Sequence, residues 1–192
     1  CPRDTNPAVP PRDVILYHDG GSCGTSTAVS LHGLRSPWPR ADYSYEKGQS
    51  EENLLDVLTH AGWSVEWLDN NTGDLGVAAR AKAQILKGGT DVAACVKGEC
   101  IDDILTAALQ DRLATATGNT VLVLHQIGSH GPSYYLRYPD GFAPFGPACQ
   151  SSNFGDCSKE EIGNADDNSI AYSDKVIGDM IDALKGQDKF LT

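Results

Sequence analysis

The chain has 192 residues, 40% hydrophobic and 21% charged, a balance that suits a single domain spanning residues 1–192 with its own core and excludes a disordered or fibrous chain. A formal net charge of -11 with only 15 Lys and Arg excludes nucleic acid as the main partner, because a phosphate backbone needs a basic face. No run approaches the roughly 18 apolar residues that span a bilayer, and the first residues lack the basic and apolar stretches of a signal peptide. The opening at Cys1-Pro2-Arg3 without an initiator Met, and the close at Phe190-Leu191-Thr192 just after a helical pattern, read as the ends of an excised segment.

In chain order, Asp13 to His18 is a short apolar run before Gly20-Gly21, the pattern of a buried strand ending in a tight turn. Thr25 to Leu31 begins a helix after Gly20, Gly21 and Gly24, and Ser36-Pro37-Trp38-Pro39 reads as loop. Ser50-Glu51-Glu52-Asn53 opens an amphipathic helix through Leu54, Leu55, Val57, Leu58 and Ala61, with Gly62 as its stop. Ser64 to Leu68 alternates apolar and polar residues as a strand does, and Asp69-Asn70-Asn71-Thr72-Gly73 is a strand-end loop of turn formers. Ile101, Ile104, Leu105, Ala108, Leu109 and Leu113 recur at helical spacing, with Asp102, Asp103, Gln110 and Arg112 on the other faces. Thr120 to His125 is a continuous apolar run that suits a parallel strand buried on both faces. Gln126 to Pro132 makes the loop at its carboxyl end. From Lys159 a helical pattern runs to about Lys185, with Ile170, Ile177, Ile181 and Leu184 on one face and Asp166, Asp174 and Asp182 among its polar positions.

This alternation predicts an α/β fold with a mostly parallel sheet covered by helices. Sites in such sheets gather at the carboxyl ends of strands, which singles out the loops Gly20 to Thr27, Asp69 to Gly73, and His125 to Pro132. The first and third are expected to meet, with Thr27 and His130 facing one cleft.

The six cysteines include two close pairs, Cys95 with Cys100 and Cys149 with Cys157, each suited to closing a short loop in an oxidising compartment. The competing arrangement is a four-cysteine zinc site, but its usual Cys-x2-Cys spacing is absent.

Gly21-Ser22-Cys23-Gly24-Thr25-Ser26-Thr27 places hydroxyls and backbone amides at a helix N-terminus, where a phosphate is favoured. The same hydroxyls also serve as plain helix caps. No Gly-Lys-Ser/Thr follows, so the segment is not a P-loop. His125 and His130 bracket a strand-end loop, a place for a metal or phosphate ligand and equally for a solvated or hydrogen-bonded histidine. Arg137, within Tyr134 to Pro139, is of a type that steadies an anionic group.

Several motifs carry a resemblance when read together: Ser22-Cys23-Gly24-Thr25-Ser26-Thr27-Ala28, Asn53 to Leu58, Asp69-Asn70-Asn71, Gly98-Glu99-Cys100, Ile127-Gly128-Ser129-His130-Gly131-Pro132, Arg137-Tyr138-Pro139 and Asp167-Asn168-Ser169-Ile170. In this order they resemble the lipid A phosphoethanolamine transferases, a family that includes the mobile colistin-resistance enzymes, and the likeness covers nearly the whole chain. It implies an alkaline phosphatase/sulfatase-like sandwich, here part of a periplasmic catalytic domain at the bacterial inner membrane. It also implies zinc-dependent transfer of phosphoethanolamine from phosphatidylethanolamine to lipid A through a phosphothreonine. By this resemblance Thr27 is the catalytic nucleophile and a zinc ligand, Asn71 belongs to the donor pocket, and His130 binds substrate or a second zinc. Both close cysteine pairs match disulfides of the family. The partners implied are the two lipids and, through N-terminal helices, the membrane surface; the expected state is a monomer.

The sequence also departs from the family pattern. The metal-binding Glu of the family lies upstream of these residues, and its Asp-His-Gly-Glu and later His lie downstream, so the chain alone is expected to be inactive. His32-Gly33 stands where Pro-Cys is expected, Asp74 and Ala78 stand where a second cysteine pair is expected, and Leu75 replaces a Lys. Asp166 takes an aromatic position. The alternatives to a transferase are a non-catalytic fragment or engineered derivative of that domain, and a sulfatase-like hydrolase.

Overall fold

The computed structural model describes residues 19–86, 94–96 and 98–185; the strand expected over Asp13 to His18 lies outside them. The helices are α1 (Thr27–Arg35), α2 (Tyr45–Ser50), α3 (Leu54–His60), α4 (Asp103–Thr115) and α5 (Lys159–Lys185). The strands are β1 (Ser64–Asp69), β2 (Lys82–Ile85), β3 (Cys95–Val96), β4 (Glu99–Cys100) and β5 (Thr120–His125). The chain divides into two compact units. The described residues of 19–85 and 115–125 form a sheet unit, and those of 86–114 and 126–185 a helical unit.

In the sheet unit β2, β1 and β5 pair in that order, all parallel. The alternating segment, β1, takes the middle, with Trp67 and Leu68 fully buried. The continuous apolar run, β5, is only half-buried up to His125, which differs from the expectation of burial on both faces. An apolar run reports side-chain type, and neighbours in the sheet decide which strand is covered. Leu55 of α3 packs with Val65 and Trp67 of β1 and with Val77 and Ala78 to form the core.

Helix α3 starts later than its acidic lead-in suggests. Ser50 ends the short α2, and Asn53 is the true N-cap: its Oδ1 accepts from Leu55 N at 2.8 Å while its own N–H donates to Asp56 Oδ2 at 2.8 Å. This reciprocal cap satisfies two orphan donors, and the cap residue contributes about 1 kcal/mol. Arg80 then clamps Asp56 through Nε at 2.8 Å and Nη2 at 2.6 Å, tying the segment after β1 to the first turn of α3.

In the helical unit β3 and β4 form an antiparallel pair joined by the Cys95–Cys100 disulfide, and Cys149–Cys157 closes the second expected loop. Helix α5 has the predicted span, but its buried face is not the isoleucine face. Ile177 is exposed, while Asn164, Ala165, Asp167, Asn168, Ser169, Tyr172, Asp174 and Val176 are buried. The face is polar because it holds chain by hydrogen bonds. Asn168 accepts from Phe145 N and donates to Phe145 O, both at 2.9 Å, and Asn164 Nδ2 donates to Pro147 O at 2.6 Å. Tyr172 O–H donates to Asp103 Oδ2 at 2.6 Å, linking α5 to α4; burial and this carboxylate push the phenol well above its usual range. No helix among the described residues is long and apolar enough to cross a membrane.

Candidate functional site

Thr27 is the first residue of α1 and is exposed. Ser26 caps the helix, its Oγ accepting from Val29 N at 3.4 Å, and the first turn carries no acidic residue. The positive end of the helix is therefore not neutralised from within, and it favours an anion beside the Thr27 hydroxyl. Gly24 permits the tight approach to the helix: a Cβ there would stand 2.6 Å from Val29 Cγ1.

The second predicted loop turns on a buried carboxylate. Asp69 ends β1, is 1% exposed, and accepts hydrogen bonds from four donors. Oδ2 takes the Trp67 indole N–H at 2.9 Å and His125 Nδ1 at 2.7 Å, while Oδ1 takes the backbone N–H groups of Asn71 at 2.7 Å and Gly73 at 3.0 Å. Burial pushes the carboxyl up, but the bonds from Trp67, His125, Gly73 and Asn71 together outweigh it and hold Asp69 below the usual carboxylate range. The bond from its N–H fixes the backbone at Asn71, whose side chain is buried. Asp69 and His125 are register partners at the carboxyl ends of β1 and β5. In sequence Asp69 has the character of a turn former only; the signal of its role lies in Trp67 and Asp69, which share a strand face two residues apart.

The third loop is anchored inside the helical unit. Asp102, read from periodicity as a polar-face residue, is buried, and its two carboxylate oxygens accept from Ile127 N and Gly128 N, each at 2.9 Å. Arg137 braces this loop: Nε donates to His130 O at 2.8 Å and the guanidinium pairs with Glu99. His130 itself is exposed, with Nδ1 2.8 Å from Gly131 O. A carbonyl only accepts, so Nδ1 carries the proton and Nε2 is the nitrogen left for a ligand.

Thr27 and Asn71 thus belong to the sheet unit, where Asp69 joins the Asn71 turn to His125, and His130 belongs to the helical unit. The strand expected before Gly20 falls outside the described residues. A zinc site needs about three or four protein ligands. Among the described residues no three His, Cys, Asp or Glu side chains converge to hold a metal, so these residues do not fit zinc by themselves.

A model of the family described as Sulfatase matches residues 2–190. The chain is similar over all its 192 residues to the phosphoethanolamine transferase EptA of Salmonella typhimurium, at 41% identity, and spans 35% of that protein. It is 36% identical to the phosphatidylethanolamine transferase Mcr-1 of Escherichia coli, with 95% of the chain and 35% of the relative covered. The chain therefore spans about a third of the length of these curated relatives. Among solved structures, the C-terminal periplasmic domain of phosphoethanolamine transferase EptC from Campylobacter jejuni aligns at a TM-score of 0.82 and 34% identity, covering 99% of this chain and 58% of that one.

Proposed function

Since the chain belongs to the sulfatase family and is homologous over its whole length to the phosphoethanolamine transferase EptA and over 95% of it to Mcr-1, we propose that it is part of the catalytic domain of a lipid A phosphoethanolamine transferase. Its fold is of the alkaline phosphatase/sulfatase type, with a parallel sheet and flanking helices. The observation that carries the reading is Thr27, an exposed hydroxyl at the uncompensated N-terminus of α1.

In this reading the Thr27 Oγ attacks the phosphorus of phosphatidylethanolamine. The Oγ–P bond forms as the P–O bond to diacylglycerol breaks; the threonine proton is given up and the departing oxygen takes one. A lipid A phosphate oxygen then attacks the phosphothreonine, and the threonine oxygen leaves and regains its proton. The helix N-terminus steadies the charge that gathers on the phosphoryl oxygens; the donor-binding roles of Asn71 and of His130 are carried over from the family resemblance. Attaching a cationic ethanolamine to lipid A offsets its phosphate charge, which weakens polymyxin and colistin binding. The work takes place at the periplasmic face of the inner membrane, by a monomer.

Zinc in this family acidifies a bound hydroxyl. The described residues assemble no zinc site, so no step above is routed through zinc; Thr27 is proposed as a contact of the catalytic ion and His130 as a contact of a second one. Turnover of a phosphatidylethanolamine analogue with lipid A, followed with zinc stoichiometry, tests the reading. Transfer to lipid A that is lost in Thr27→Ala is expected; release of free phosphoethanolamine to water, with no transfer, would instead make the protein a hydrolase.

A further inference from the structure

Arg137 holds one backbone carbonyl, and that carbonyl belongs to the exposed histidine of the third loop. The first half of the loop has its own anchor, since Asp102 takes the amides of Ile127 and Gly128. The second half depends on Arg137, whose Nε donates to His130 O at 2.8 Å while the rest of the guanidinium pairs with Glu99. The arginine side chain is 5% exposed, so this charge-assisted bond is shielded from water, and a planar fork held by a carboxylate does not swing away from the carbonyl. Both partners stand on fixed chain. Glu99 lies on β4 beside Cys100, which is bonded to Cys95, and the Arg137 N–H donates to Tyr134 O at 2.9 Å.

The consequence reaches the imidazole. The His130 N–H donates to Ile127 O at 3.3 Å, so with Arg137 on the carbonyl the backbone is held on both sides of the side chain. A peptide unit is planar; anchoring the His130 oxygen therefore also fixes the start of Gly131, whose own carbonyl takes Nδ1–H at 2.8 Å. Gly131 in turn lies against the Tyr134 ring, where a Cβ would stand 2.8 Å from Cζ. We propose that Arg137, braced by Glu99, is the positioning residue of His130: it sets the direction in which Nε2 meets the phosphoethanolamine group of the donor lipid. The donor-binding role of His130 rests on the transferase reading above; the hold of Arg137 on the loop does not. A plain loop staple would matter equally with and without the His130 imidazole, whereas a positioning residue matters only through it.

In the full polypeptide, with a phosphatidylethanolamine analogue as donor, Arg137→Ala is expected to raise KM about 10-fold with kcat changed less. The same substitution is expected to add nothing when introduced into His130→Ala. Arg137→Lys keeps the charge but not the fork and is expected to recover only part of the loss. Glu99→Gln, which leaves Arg137 in place, is expected to raise KM in the same direction by less. Hydrogen exchange resolved to single amides is expected to quicken at His130 in Arg137→Ala and to stay unchanged at Ile127 and Gly128, which Asp102 holds. Equal losses from Arg137→Ala with and without the His130 side chain, an unchanged KM, or unchanged exchange at His130 would overturn the proposal. If Arg137→Ala does not fold, Glu99→Gln carries the same tests, alone and combined with His130→Ala. A wild type that leaves the donor untouched would overturn the transferase reading and the donor-facing role with it, and the exchange at His130 would still decide whether Arg137 holds the loop.

Discussion

Gly33 and Cys23 occupy each other's space: a Cβ built on Gly33 would stand 2.5 Å from Cys23 Cβ and 2.6 Å from its Sγ. Gly33 is where the family resemblance places a cysteine, and Cys23 is the free cysteine among the described residues. Disulfide Cβ atoms lie about 3.5–4.5 Å apart, so a small outward shift of either segment would accommodate the bond. Gly33→Cys is expected to oxidise with Cys23 and raise stability by about 2–3 kcal/mol. Gly33→Ala has the crowding without the bond and is expected to destabilise by about 1 kcal/mol, despite the better helix propensity of Ala. Denaturant melts with and without reductant check both; equal stability of Gly33→Cys in the two conditions would contradict the first.

A neighbouring departure from the family pattern has become a fastening. His32 is 2% exposed, with Nδ1 2.9 Å from Gly48 O and Nε2 3.0 Å from Leu75 O, so the ring links α2 to the turn after β1. Leu75 in that turn has φ of 52°, a conformation costing a bulky residue roughly 1–2 kcal/mol. His32→Leu is expected to cost about 1–3 kcal/mol by removing the ring N–H that serves one of these buried carbonyls, and Leu75→Gly to gain about 1 kcal/mol. Urea melts of the two variants, read at constant slope, decide.

Two carboxylates make stability depend on pH in a known direction. Asp56 is held below the usual range by its hydrogen bonds from Arg80, against burial and with help from the Asn53 N–H, and Asp69 is lowered as described above. A depressed folded value means that the stabilisation is present above the unfolded value near 4 and is lost as pH falls through the folded value. Melts between pH 7 and pH 3 are expected to show stability dropping with acid, less steeply in Asp56→Asn than in the wild type. Parallel curves for the two would show that Asp56 is not ionised through this range by its partners.

Alkylation maps the thiols. Iodoacetamide on the folded, unreduced chain is expected to modify Cys23, which is partly exposed and free, and to leave Cys95, Cys100, Cys149 and Cys157 untouched until reduction. Labelling of any of those four before reduction would contradict the pairing.

The parts of the fold carried by local chemistry were legible. The span of α5, the two short disulfide loops, the strand β1 and the Gly-rich entry to α1 follow from periodicity, spacing and turn residues. What escaped was set by partners distant in sequence. Ile177 looks like core and is exposed, because α5 turns Asn164 and Asn168 inward to hold Pro147 and Phe145. Asp102 looks like a surface charge and is buried under the amides of Ile127 and Gly128, 25 and 26 residues away. At the site, Thr27 was visible as a hydroxyl at a helix N-terminus, and His130 and Asn71 were named through the family pattern. The Asp69–His125 pair was not visible, since two strand ends 56 residues apart must first pair in register.

The central claim is that Thr27 carries phosphoethanolamine during transfer. Mass spectrometry of tryptic peptides, after the full polypeptide is quenched during turnover of a phosphatidylethanolamine analogue, tests it most directly. The expected result is one phosphoethanolamine on Thr27, discharged when lipid A is added and absent in Thr27→Ala. An adduct on another residue, or transfer to lipid A at an unchanged rate in Thr27→Ala, would contradict it.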